Sequence, residues 1–140
     1  MKRALVLTAV LLSVASTVRA QDFRPVVQQL ARGWQKGDFS VLGSHTASIG
    51  LSLDVEGRRL GPLPGRQAAA ALRRLLDERE TVSVRISMQK EIEGSPRRAF
   101  AELSWETRPR GTTIPTRSTV FVALELEGDR WRFTEIRLMK

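Results

Sequence analysis

The chain has no cysteine, no tyrosine and one histidine, His45. Without cysteine no disulfide can staple the fold, and no thiolate can serve as nucleophile or metal ligand. A lone imidazole with no His-x-x-Glu-type spacing leaves too few good donors for a metal site, so neither a metal nor a cofactor is expected. Long apolar runs are almost as scarce. Ala4 to Val14 is too short to span a bilayer, and nothing after it approaches the roughly 20 apolar residues that a spanning helix needs.

That early run has another reading. Met1-Lys2-Arg3 is a basic start, Ala4 to Val14 is apolar, and Val18-Arg19-Ala20 puts small or modest residues before Gln21. This is the layout of a signal peptide cut after Ala20, so residues 1 to 20 are expected to be removed and 21 to 140 to form one domain. The destination is the periplasm or the cell exterior. A domain of that size buries about two-thirds of its unfolded surface and needs no covalent staple.

The formal net charge is +8 and becomes +5 once Lys2, Arg3 and Arg19 are set aside, because the signal segment holds no acid. Arginine carries the excess, in pairs such as Arg58-Arg59, Arg73-Arg74 and Arg97-Arg98. Such charge attracts anionic envelope polymers, lipid or nucleic acid, or else consists of solvated pairs on loops. No nucleic-acid motif and no aromatic stacking run accompanies it, so nucleic acid is not expected as a partner.

Asp22 to Lys36 has apolar residues at helical spacing (Phe23, Val26, Val27, Leu30, Ala31, Trp34), Asp22 as N-cap and Gly37 as stop. Asp38 can then cap a short helix, Phe39 to Ser44. Ile49, Leu51, Leu53 and Val55 alternate with polar residues, which predicts a strand ended by Gly57. Leu60 to Gly65 holds two prolines and reads as a stiff connector. Arg66 to Glu78 predicts a third helix with Ala68, Leu72, Leu75 and Leu76 on one stripe.

The remaining chain alternates with period two. Val82, Val84, Ile86 and Met88 mark one strand, Ala99 to Trp105 a second and Val120 to Leu126 a third, separated by turns at 93–96 and 109–115. Gly128-Asp129 supplies a Gly-first hairpin turn. In the last strand Trp131 and Phe133 have one parity while Ile136 and Leu138 have the other. A β-bulge near Thr134-Glu135 would restore the inward phase and bend the sheet.

Four segments resemble the nuclear transport factor 2-like superfamily, also called the cystatin-like cone. They are Trp34-Gln35-Lys36-Gly37-Asp38, the strand Ile49 to Val55, Gly65-Arg66-Gln67-Ala68, and Gly128-Asp129-Arg130-Trp131-Arg132-Phe133. In look the chain is similar to uncharacterised secreted bacterial members. The resemblance implies an α+β fold: a strongly curved antiparallel sheet wrapped around about three N-terminal helices, with an apolar pocket and frequent dimerisation through the outer sheet face. It implies no single activity, because unrelated chemistries share the fold.

Members similar to ketosteroid isomerase use an acid at the end of the first strand as base, and Asp54 lies roughly there. The phenol of that constellation has no counterpart in a chain without tyrosine. Asp54 also opposes its strand's apolar residues in parity, which suits a solvated Asp before a Gly turn. His45, after the short helix, is the only imidazole available for acid or base work, and equally suits a helix C-terminus. Trp34, Met88 and Trp105 are the expected pocket lining, or ordinary core. Phe100 and Phe121 fall on a face that should be polar, which suggests a symmetric dimer. The reading is thus a secreted domain of non-catalytic character that binds a small apolar ligand or a protein partner. The alternatives are an isomerase-like or dehydratase-like enzyme using Asp54 and His45, and a basic accessory domain for anionic polymers.

Overall fold

A computed structural model describes residues 22–140, and the expected signal segment, residues 1 to 20, lies outside them. The elements are α1 (Arg24–Lys36), α2 (Ser40–His45), β1 (Leu51–Val55), β2 (Arg58–Leu63), α3 (Gly65–Asp77), β3 (Arg79–Ile92), β4 (Arg98–Pro109), β5 (Thr116–Glu127) and β6 (Arg130–Met139). The strands form one sheet in the order β2-β1-β6-β5-β4-β3, curved but not closed, with helices on the concave side.

The helices start and stop where local chemistry dictates. Asp22 and Asp38 each sit one residue outside the cap position expected of them. Asp22 Oδ1 accepts the Arg24 N–H at 3.1 Å, and Asp38 Oδ1 accepts the Ser40 N–H at 2.9 Å. Gly37 ends α1 in the left-handed conformation at φ 73°. The Asp38 N–H then donates to the Gly33 carbonyl at 2.7 Å, so the chain doubles back tightly against α1. A Cβ on Gly33 would run into the Asp38 carbonyl oxygen, which explains a glycine in the middle of a helix where alanine has the better propensity.

The sheet owes its inward phase to bulges. In β6, Phe133 pairs with Leu124 and Glu135 with Ala123, so Thr134 is the extra residue, and Trp131, Phe133, Ile136 and Leu138 are all buried. The bulge expected from the parity conflict is where the sequence placed it. Two more bulges lie in β3, between Thr81 and Ser83 and between Ile86 and Met88. The first turns Val82 out to 40% exposure.

Three expectations are corrected. Leu60 to Gly65 is not wholly a connector, because Arg58–Leu63 forms the edge strand β2, paired to β1 alone. An edge tolerates Pro62, since its outer side needs no N–H donor. Ile49 lies outside β1 and is 80% exposed. The sheet is not purely antiparallel either, since β1 pairs parallel to β6. A parallel neighbour follows from the long return through α3 and β3 to β5 that separates the two strands in sequence.

The core lies between the helical layer and the concave face. Val27, Leu30 and Trp34 of α1, Leu42 of α2 and Ala68 and Leu72 of α3 meet Leu51, Ala101, Leu103, Trp105, Val122 and Phe133, all fully buried. The Ala-Leu stripe of α3 therefore fills the hollow of the sheet. Trp131 is 3% exposed and packs edge to face on Phe23 at 5.8 Å.

Two outcomes follow for stability. Trp131→Ala should cost about 3 to 5 kcal/mol in denaturant unfolding, and a change below about 1 kcal/mol would contradict its role as anchor. Gly33→Ala should lower the thermal midpoint despite the better helix propensity of alanine, whereas a rise would show that the contact with Asp38 relaxes freely.

Candidate functional site

The expected pocket lining separates into two places. Trp34 and Trp105 come together, both fully buried, with ring centroids 5.5 Å apart and planes at 75°. Phe39 also meets Trp34, at 5.2 Å and 85°. These edge-to-face contacts are the favoured geometry for aromatic pairs, and the three rings occupy the space between helices and sheet. The Trp105 N–H donates to Thr81 Oγ1 at 3.1 Å. Met88 is elsewhere. The bulge at Ser87 pairs it with Glu102 and turns it to the convex face, away from the tryptophans.

The core is sealed at one end by an ion pair. The Arg79 guanidinium lies 5.8 Å from the Trp105 ring and donates to Glu56 Oε1 at 3.3 Å. Glu56 and Gly57 have φ of 52° and 87°, the positive pair that a two-residue turn between antiparallel strands requires. Beside this turn a crevice of about 390 Å³ is floored by Leu53 and Val55 of β1, Leu60 of β2, and Ala71 and Leu75 of α3.

The two acid-base candidates are far apart. Asp54 Oδ1 accepts the Gly57 N–H at 3.0 Å, and its side chain shares the convex face with Arg59 and Arg137, its partners in β2 and β6. It is a turn cap among cations. His45 ends α2 and faces a groove with Asp22, Gln29, Arg130 and Trp131. Along β6, Trp131 and Arg137 are six residues apart, or roughly 20 Å, so Asp54 and His45 face no common cavity.

The convex face has an apolar centre. Phe100 and Phe121 stack with centroids 5.5 Å apart and planes at 27°, and Ala123 lies across from Phe100 in the pairing of β4 with β5. Arg137 lies 5.9 Å from the Phe121 ring and pairs with Glu135 at 2.6 Å. Around them Arg98 meets Glu125 at 3.9 Å and Arg132 meets Glu127 at 3.4 Å. Alternation alone could flag the two phenylalanines, but the stack depends on the register of β4 and β5, which one strand's sequence does not contain.

Among the described residues no group of three or more His, Cys, Asp or Glu side chains is placed to hold a metal ion. No described helix is long and apolar enough to cross a membrane. Burial pushes the His45 pKa below its ordinary value, the charges of Arg130 and Arg132 push the same way, and a hydrogen bond to the Trp131 main chain opposes them. A histidine whose folded pKa is lowered binds fewer protons folded than unfolded. Its neutral form therefore supports the fold above about pH 6.5, and that support is lost as pH falls through the lowered folded value. Substituting His45→Gln should make the unfolding free energy depend less on pH between 7 and 5 than in the parent. Identical slopes would show that His45 titrates normally.

No protein-family model matches the chain, and no curated protein matches it in sequence. Solved structures match in shape. A DUF4783 family protein from Bacteroides uniformis superposes with a TM-score of 0.65 at 12% identity, covering 81% of this chain and 94% of that one. Rd1NTF2_04 with long sheet, one of a group of designed proteins, gives 0.64 at 16% identity over 84% and 99%. A hypothetical protein with ketosteroid isomerase-like fold from Catenulispora acidiphila, solved in complex with trimethylamine, gives 0.61 at 18% identity over 82% and 84%. Identities this low speak for architecture alone, and with the curved six-stranded sheet over three helices they establish that the chain has the nuclear transport factor 2-like α+β fold.

Proposed function

We propose that the chain is an exported, non-catalytic association domain that pairs with a second copy of itself through the convex face of its sheet. The observation that carries this reading is the Phe100–Phe121 stack at the centre of that face, where both rings stay half-buried. Two adjacent aromatic rings on the side of a sheet that faces away from its own helices cost solvation unless another surface covers them. The rim supports a self-complementary contact. Glu102, Glu125 and Glu135 share this face with Lys90, Arg98 and Arg137, so it offers charges of both signs to a second copy. Export rests on the layout of Met1 to Ala20.

The interior favours this reading over an internal ligand. Trp34, Phe39 and Trp105 fill the space between helices and sheet, and a crevice beside the Glu56–Gly57 turn opens to solvent. An isomerase-like or dehydratase-like enzyme using Asp54 with His45 draws no support from the geometry, because the two groups share no cavity and Asp54 is committed to its turn.

Sedimentation velocity over a range of protein concentrations tests the pairing. The parent should sediment at twice the mass of one chain, and Phe121→Glu, which adds an acid at the centre of the face without touching the core, should sediment as a single chain with circular dichroism unchanged. A parent that remains a single chain at the highest concentration, or a Phe121→Glu variant that still pairs, overturns the proposal.

A further inference from the structure

Helix α1 does not cover the whole concave side of the edge strand β3. Its apolar side enters the core, but Val84 and Ile86 on the concave side of β3 reach past the helix and stay only half-buried. The Val84 N–H points off the sheet edge and donates to Gln35 Oε1 at 2.9 Å, which fixes Gln35 as a post between helix and strand. A groove of about 510 Å³ results, floored by Ala31, Val84 and Ile86 and walled by Gln28, Gln35, Arg32 and Lys36 of α1.

The charges in this groove are all of one sign. Arg32 and Lys36 stand one helical turn apart and, like Arg66, Arg73 and Arg74 of α3, make no ion pair among the described residues, whereas Arg24 of α1 pairs with Asp22 at 3.3 Å. No acid lines the groove. Arg32 and Lys36 also border the adjoining groove between α1 and α2, which holds Asp38, whose Oδ1 is taken by the Ser40 N–H. That bond is the main reason its carboxyl titrates below the usual range, with Arg73 and Lys36 adding smaller effects.

The geometry points to a binding site for a free single-chain amphiphile with an anionic head. The alkyl chain lies on Ala31, Val84 and Ile86, covering apolar surface that the helix leaves open. The carboxylate sits between Arg32 and Lys36, whose flexible stems let the charged heads converge on an anion while the methylenes line the wall. Gln35, with its oxygen taken by the strand, has its amide N–H groups free to donate to the same head. The site lies on the helical side of the molecule, so it stands or falls independently of pairing through the convex face.

Calorimetric titration of the full chain with dodecanoate, below its micellar concentration and at low salt, tests the site. Saturable 1:1 binding is expected, at least tenfold weaker in Arg32→Glu, in Lys36→Glu and in Ile86→Glu. Dodecyltrimethylammonium, with the same tail and the opposite head, should bind at least tenfold more weakly than dodecanoate. Should Ile86→Glu fail to fold by circular dichroism, Gln28→Glu puts an acid on the exposed wall and should weaken binding in the same sense. The assignment is overturned if no saturable heat appears, if the cationic amphiphile binds as tightly, or if both charge reversals leave the affinity unchanged. Saturable binding of poly-glutamate in place of dodecanoate also overturns it and gives the groove to an acidic protein partner.

Discussion

The contact between the indoles of Trp34 and Trp105 is the joint on which the architecture turns. It fastens the C-terminal turn of α1 to the middle of β4, and the other components arrange themselves around the two rings. Phe39 reaches Trp34 because Gly33 and Gly37 let the chain reverse within a few residues of the helix end. Arg79 lies against Trp105 and ties it to Glu56, and through Glu56 to the turn between β1 and β2. Each indole buries on the order of 200 Å². One cluster of rings thus couples the end of α1 and the middle of β4 to the edge hairpin of β1 and β2.

How much of this could be read from the residues depends on whether a local pattern contradicts itself. The bulge at Thr134 was legible because Trp131 and Phe133 conflict in phase with Ile136 and Leu138, and four large apolar residues cannot all be buried without it. The bulge at Ser87 left no such trace. Ile86 and Met88 keep the expected alternation, and polar neighbours follow, so nothing in the string shows that Met88 has changed faces. Strand β2 was hidden for a different reason. An edge strand exposed on both faces needs no apolar alternation, and Gly61 and Pro62 resemble loop chemistry.

The candidate site divides in the same way. Spacing turns Trp34 and Trp105 inward, and both are buried, but inward spacing is identical for a pocket wall and a core filler. Only the third dimension shows that the rings touch each other. Asp54 and His45 are nine residues apart in sequence, which says nothing of their separation once β1 and α2 approach opposite ends of β6. The fold hosts many chemistries, and here a filled interior shifts attention to the exterior: a convex sheet face with ion pairs around two rings, and a groove on the helical side bordered by Arg32 and Lys36.

An unclosed sheet has two rims at which a foreign strand could continue the ladder and start a fibre. Both are blunted here. On β2, Pro62 has no amide hydrogen to offer and Arg58 and Arg59 bring like charges to any identical neighbour. On β3, two bulges interrupt the regular spacing of outward amides, and the side chain of Gln35 already occupies that of Val84. The same residue that props open a groove therefore also guards against runaway polymerisation, leaving broad faces rather than rims as the surfaces on which this molecule can meet its neighbours.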